Sequence, residues 1–136
     1  MTNPGGGAYG YQSYVRAFSA SGVALWDRQF GAMGDDEAYS LTTLDGQDVV
    51  VVAGYTNGTL PGQSSAGGTD GFLRAYSTGG VELWTTQFGS AGNDFAISVA
   101  AGPDGRMVVG GNTSGSFPGQ SSAGNNDAFV RGFAAD

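Results

Sequence analysis

The chain has 136 residues, 40% of them hydrophobic and 12% aromatic, with a net charge of -7. It has no lysine, histidine or cysteine, and its only basic residues are five arginines. This excludes a disordered chain, disulfides, thiolate metal sites and cysteine nucleophiles. It also leaves almost nothing to neutralise phosphates, so nucleic acid is not an expected partner. Twenty-six glycines call for many tight turns. No apolar run is long enough for a membrane span, and Met1 to Gly10 lacks the basic and apolar regions of a signal peptide.

In chain order, residues 1–12 read as a glycine-rich lead, in which Pro4-Gly5-Gly6-Gly7 resembles a degraded copy of a motif found twice later. A C-type strand around Tyr14 to Phe18 and a D-type strand, Val23 to Phe30, fill a partial unit over 13–31. A complete unit follows over 35–89: Glu37 to Leu44 (A), Val49 to Tyr55 (B), Phe72 to Ser77 (C) and Val81 to Phe88 (D). Asp45-Gly46 between the first two is a hairpin signal, because both residues tolerate positive φ. The last unit, 92–136, offers Ile97 to Ala101, Met107 to Gly111 and Ala128 to Phe133, without a D strand.

Internal repetition fixes this division. Phe18 to Gly31 (FSASGVALWDRQFG) returns as Tyr76 to Gly89 (YSTGGVELWTTQFG), and the heptapeptide PGQSSAG occurs at Pro61 to Gly67 and Pro118 to Gly124. Tyr14-Val-Arg-Ala-Phe18 is echoed by Phe72-Leu-Arg-Ala-Tyr76 and Phe129-Val-Arg-Gly-Phe133. Four short antiparallel strands per repeat, with no helical period, predict an all-β chain of about two β-propeller blades. A closed propeller needs at least ~4 blades. Two copies cannot shield their own flanks, so the chain is expected to complete itself head to tail, giving a six-bladed ring from three chains or an eight-bladed one from four. The competing reading is a piece of a longer propeller.

The combined pattern of Asp70 to Gly89, Gly92 to Ala96 and Asp104 to Gly111, with counterparts in the first copy, resembles the SBBP β-propeller repeat. It departs at Glu37, where the second copy has Phe95. The resemblance implies a fold rather than an activity, and a bacterial, surface-associated or extracellular setting.

Several residues are candidates for function. Trp26 and Trp84 suit inter-blade layers, and Arg16, Arg74 and Arg131 suit stacking on neighbouring aromatics and pairing with a rim aspartate. Acidic and amide residues gather on one rim: Asp35, Asp36, Glu37, Asp70, Asn93, Asp94, Asn126 and Asp127. Asp36, Asp70, Asp94 and Asp127 could supply oxygens to Ca²⁺, though aspartate in such loops more often caps a turn by accepting N–H groups. No other cofactor is indicated, and the missing bases and nucleophiles argue against an enzyme. Tyr55, Gln63, Ser64, Asn112, Gln120 and Ser121 are the candidate ligand-binding set, mixing amide, hydroxyl and aromatic groups as sugar sites do. Two functions follow: a self-assembling structural or protein-interaction scaffold, or a multivalent glycan-binding module. Asn57-Gly58-Thr59 and Asn112-Thr113-Ser114 match the glycosylation sequon.

Overall fold

A computed structural model describes residues 10–134. The proline-glycine motif at positions 4 to 7 lies outside the described residues. The described chain is all-β: β1 (Ser13–Phe18), β2 (Ala24–Phe30), β3 (Asp36–Leu44), β4 (Val49–Thr56), β5 (Asp70–Ser77), β6 (Glu82–Phe88), β7 (Asp94–Ala101), β8 (Met107–Thr113) and β9 (Asp127–Phe133). They form three antiparallel sheets ordered β1-β2, β3-β4-β5-β6 and β7-β8-β9, hereafter sheets 1, 2 and 3. None of the described residues is helical, so no helix could cross a membrane.

The strands extend a few residues beyond the pattern-based limits toward the loop end, most at β7, which begins at Asp94 rather than Ile97. The hairpin after Leu44 also differs. Leu44 pairs with Val49, so Asp45 to Asp48 form a four-residue loop, with positive φ at Gly46 (78°) and Asp48 (53°) and not at Asp45. Both A-type strands carry a bulge, between Ala38 and Ser40 and between Ala96 and Ser98. The residue opposite the start of each bulge is a glycine, Gly54 or Gly111. A Cβ at either would collide with the carbonyl oxygen of Glu37 or Phe95 across the pair, so only glycine permits this close approach.

Sheet 2 has an apolar face on each side, as β-strands buried on both sides must. Between sheets 1 and 2, Val15, Phe30 and Ala32 pack on Val52, Leu60, Phe72 and Tyr76. Between sheets 2 and 3, Val51, Ala53, Leu73 and Ala75 meet Ala96, Met107, Val109 and Phe129. Edge-to-face rings tie both layers, with Phe30 and Phe72 at 5.5 Å and Phe88 and Phe129 at 6.3 Å.

Trp26 and Trp84 are half-buried against these two layers. Trp26 lies 6.2 Å from the Tyr76 ring, and its indole N–H donates to the Thr78 carbonyl at 2.8 Å. The β5–β6 turn presses on its ring: a Cβ on Gly80, where φ is +83°, would lie 2.7 Å from the indole. Gly80→Ala is therefore expected to cost about 2 kcal/mol in urea unfolding, combining the left-handed backbone with displacement of the indole.

Candidate functional site

The β2–β3, β4–β5, β6–β7 and β8–β9 connections share one end of the sheets, and two devices built from acidic and amide residues repeat there. The first is a cap. Each candidate calcium aspartate accepts the N–H of the residue four positions earlier: Ala32 to Asp36 at 2.8 Å, Ala66 to Asp70 at 2.9 Å, Ser90 to Asp94 at 2.6 Å and Ala123 to Asp127 at 2.9 Å. Asp36, Asp70 and Asp94 are buried, so these bonds replace water on each carboxylate. Among the described residues, no three His, Cys, Asp or Glu side chains come together in a group that could hold a metal ion.

The second device is a main-chain clasp between sheets. Asp36 N–H donates to the Tyr11 carbonyl at 2.8 Å, Tyr11 N–H to Asp35 Oδ1 at 3.0 Å, and Asn57 N–H to the Asp35 carbonyl at 2.9 Å. Asp94, Thr69, Asn93 and Ser114 repeat this between sheets 2 and 3 at 2.7, 2.9 and 2.9 Å. Sequence reading placed Asp35 and Asn93 on a rim without this role. Their equal spacing in the repeat was the available signal.

Burial raises the Asp36 pKa above its ordinary value, outweighing the lowering by the nearby Thr56 side chain and the Ala32 N–H, with Asp35 adding to the rise. An acid whose folded pKa is raised contributes most to stability below its unfolded pKa, and that contribution is lost as pH climbs through the folded value. Wild type should therefore lose stability relative to Asp36→Asn as pH rises from about 4, with the difference levelling off once Asp36 is ionised in both states. Chemical denaturation of both proteins from pH 3 to 8 checks this.

The candidate ligand residues come together only in part: Gln120 and Ser121 line one groove beside β9, whereas Tyr55 and Gln63 face different neighbours. Tyr55 reaches toward β3, where its hydroxyl donates to Glu37 Oε1 at 2.7 Å while Tyr39 donates to Glu37 Oε2 at 2.9 Å. The Tyr55 ring meets Phe95 edge-on at 4.9 Å. Burial and the Glu37 acceptor hold this phenol well above its ordinary pKa. Gln63 lies on the other side of β5, against β6, where its Oε1 accepts the Gln87 N–H at 2.9 Å. Ser64, Asn112, Gln120 and Ser121 are exposed.

Gln87, which sequence reading treated only as part of a repeated Gln-Phe-Gly, is the centre of that region. Its Oε1 accepts the Leu60 N–H at 2.9 Å, and its Nε2 donates to the Gly58 carbonyl at 2.9 Å and Asp70 Oδ2 at 2.7 Å. The long loop is thereby latched onto β6.

The arginines pair with strand acids near the opposite end of the sheets and not with rim aspartates. Arg16 meets Asp27 at 2.8 Å, and Arg74 meets Glu82. The aromatic partners also differ in part from expectation, since the Arg74 guanidinium lies 4.6 Å from Phe30 of sheet 1 and 5.8 Å from Tyr76. Arg131 sits among Phe88, Phe117 and Phe133 at 5.4 to 5.5 Å, without a carboxylate among the described residues.

The terminal sheets expose what sheet 2 buries. At the repeat positions of Val51 and Leu73, both 0% exposed, sheet 3 has Val108 at 47% and Val130 at 78%. At those of Phe72 and Tyr76, sheet 1 has Tyr14 at 72% and Phe18 at 56%. Large open grooves run beside β1 and beside β9, the second lined by Phe117, Gln120, Asp127 and Arg131 among others.

No family model matches the chain. It is 30% identical over 129 residues to the regulatory protein FlaEY of Caulobacter vibrioides, an alignment covering 88% of this chain and 14% of that protein. The chain thus spans about a seventh of the length of the curated relative it matches.

Proposed function

We propose that this chain is a non-enzymatic β-propeller repeat module of the SBBP type, a structural or protein-interaction scaffold that associates with its own copies to close a ring. Sheet 2 is a complete four-stranded blade, and the three strands of sheet 3 reach four with β2 of another copy, which leaves β1 outside that count. One observation carries this reading: the outer face of sheet 3 exposes Val108 and Val130 at the positions where sheet 2 buries Val51 and Leu73 completely. Repeat units of this kind bury their faces only by stacking, and a heterologous contact between unlike faces closes into a ring when the rotation permits. An exposed apolar face of this sort marks an interaction surface.

Native mass spectrometry tests the reading. Three or four chains per particle support it, and a Val130→Asp variant should return the particle to single chains while its circular dichroism stays that of a folded β protein. A wild-type chain that remains single at high concentration overturns it. The alternative, a glycan-binding module using the rim loops of each repeat, has Gln120 and Ser121 in the groove beside β9, while Tyr55 and Gln63 are each hydrogen-bonded within the chain.

A further inference from the structure

We infer that the edge of β9, open among the described residues, is a receptor for β2 of a second copy, which takes through Gln29 the place that β6 has in sheet 2 and leaves its own β1. This rests on the scaffold reading above and adds the strand, the register and the residue that select it.

The template lies within the chain. In sheet 2, β6 lies on β5, and Gln87 is gripped by the Leu60 N–H, the Gly58 carbonyl and Asp70 Oδ2, while Gln63 accepts the Gln87 N–H. Every element of that receptor recurs one repeat later as the Phe117 N–H, the Gly115 carbonyl, Asp127 and Gln120. Among the described residues, the Phe117 N–H, the Gly115 carbonyl and the Gln120 side chain make no hydrogen bond, and the groove beside them is open. Asp127 is held ready by Ser122 Oγ at 2.8 Å and the Ala123 N–H, which also depress its pKa and keep it charged.

The matching ligand is present too. Gln29 of β2 occupies the repeat position of Gln87 in the same Gln-Phe-Gly sequence, yet it is exposed and makes no hydrogen bond among the described residues. In its own sheet, the position of Asp70 and Asp127 is taken by Gln12, whose Nε2 is committed to Asp36 Oδ2 at 3.2 Å and the Ala32 carbonyl at 3.3 Å. Gln29 therefore faces a poorer partner at home than on β9. Charge agrees: in the β5–β6 register, β2 of the second copy brings Asp27 opposite Arg131, which lacks a carboxylate among the described residues. Val130 then enters the slot that Val15 fills in the separate chain, with its 7% exposure. Unpaired strand edges favour such exchange.

The same register places Val130 opposite Arg28, as Leu73 lies opposite Thr86. Within one chain these residues are in sheets 3 and 1, with sheet 2 between them. The cysteine-free full chain carrying Arg28→Cys and Val130→Cys should form reducible covalent dimers and larger species under mild oxidation, because directly opposed cross-strand residues meet disulfide geometry. Gln29→Ala should leave the far-ultraviolet spectrum unchanged and weaken association about 10- to 100-fold, from the loss of its side-chain hydrogen bonds. If the native chain is a single particle, both this inference and the scaffold reading fall. If it assembles but the cysteine pair does not cross-link, or Gln29→Ala associates like the parent, the exchange is overturned and the scaffold reading stands with another contact.

Discussion

Phe72→Ala should destabilise the fold by about 4 kcal/mol in equilibrium urea or guanidinium unfolding, the usual range for emptying a buried phenylalanine site. Phe72 is 0% exposed, and its ring meets Phe30 edge-on at 5.5 Å within the layer between sheets 1 and 2. It cannot be replaced by collapse of the backbone, because β4 and β5 are held in continuous antiparallel register on one side and β6 on the other. Tyr14→Ala, at the same position of the repeat but exposed, should change stability by less than about 0.5 kcal/mol. A cost for Tyr14 near that for Phe72 would show that sheet 1 is covered in solution.

The second large effect is expected at Asp70. Asp70→Ala removes a fully buried acceptor, leaving the Ala66 N–H without its partner and Gln87 Nε2 with only the Gly58 carbonyl. Unfolding free energy should drop by about 3 kcal/mol, more than a single exposed cap would contribute. Loss of the Gln87 contact should also loosen the loop from Leu60 to Gly67, read as faster amide exchange and proteolysis there. Asp127→Ala, the equivalent change in a sheet with three strands among the described residues, should leave the thermal midpoint of the separate chain nearly unchanged. It should instead act on association.

The strands and their division into groups of two, four and three were legible because the repeat is long and its landmarks are unambiguous: Leu-Trp-x-x-Gln-Phe-Gly on the last strand of a unit and Asp-Gly between the first two. Strand limits at the loop end were not. Asp94, Phe95 and Ala96 look like a polar turn running into a strand, yet β7 includes them, because the bulge at Ala96 and the glycine opposite it keep the pairing going. Site chemistry was less visible still. By composition Asp36, Asp70 and Asp94 could be caps or metal ligands, and the N–H groups four residues back that show the capping role are visible only in the folded chain. Gln63 is similar: its polar side chain suggests an outside ligand, and the Gln87 N–H that its Oε1 accepts is brought to it only by the fold. Arg74 finds Glu82 because the two lie on neighbouring strands near one end, a relation that depends on register more than on the count of acidic residues.

The clasps at Asp35 and Asn93 join neighbouring sheets backbone to backbone at the loop end, whereas at the opposite end sheet 1 meets sheet 2 through side chains such as Trp26 and Arg28 bonding to the Thr78 and Gly80 carbonyls. Sheets 1 and 2 are thus pinned along one border and spaced along the other by an indole against a glycine. Side-chain bulk at Trp26 and Gly80 therefore limits how closely these two sheets approach at that border, as a shim sets a gap, leaving the pinned border untouched.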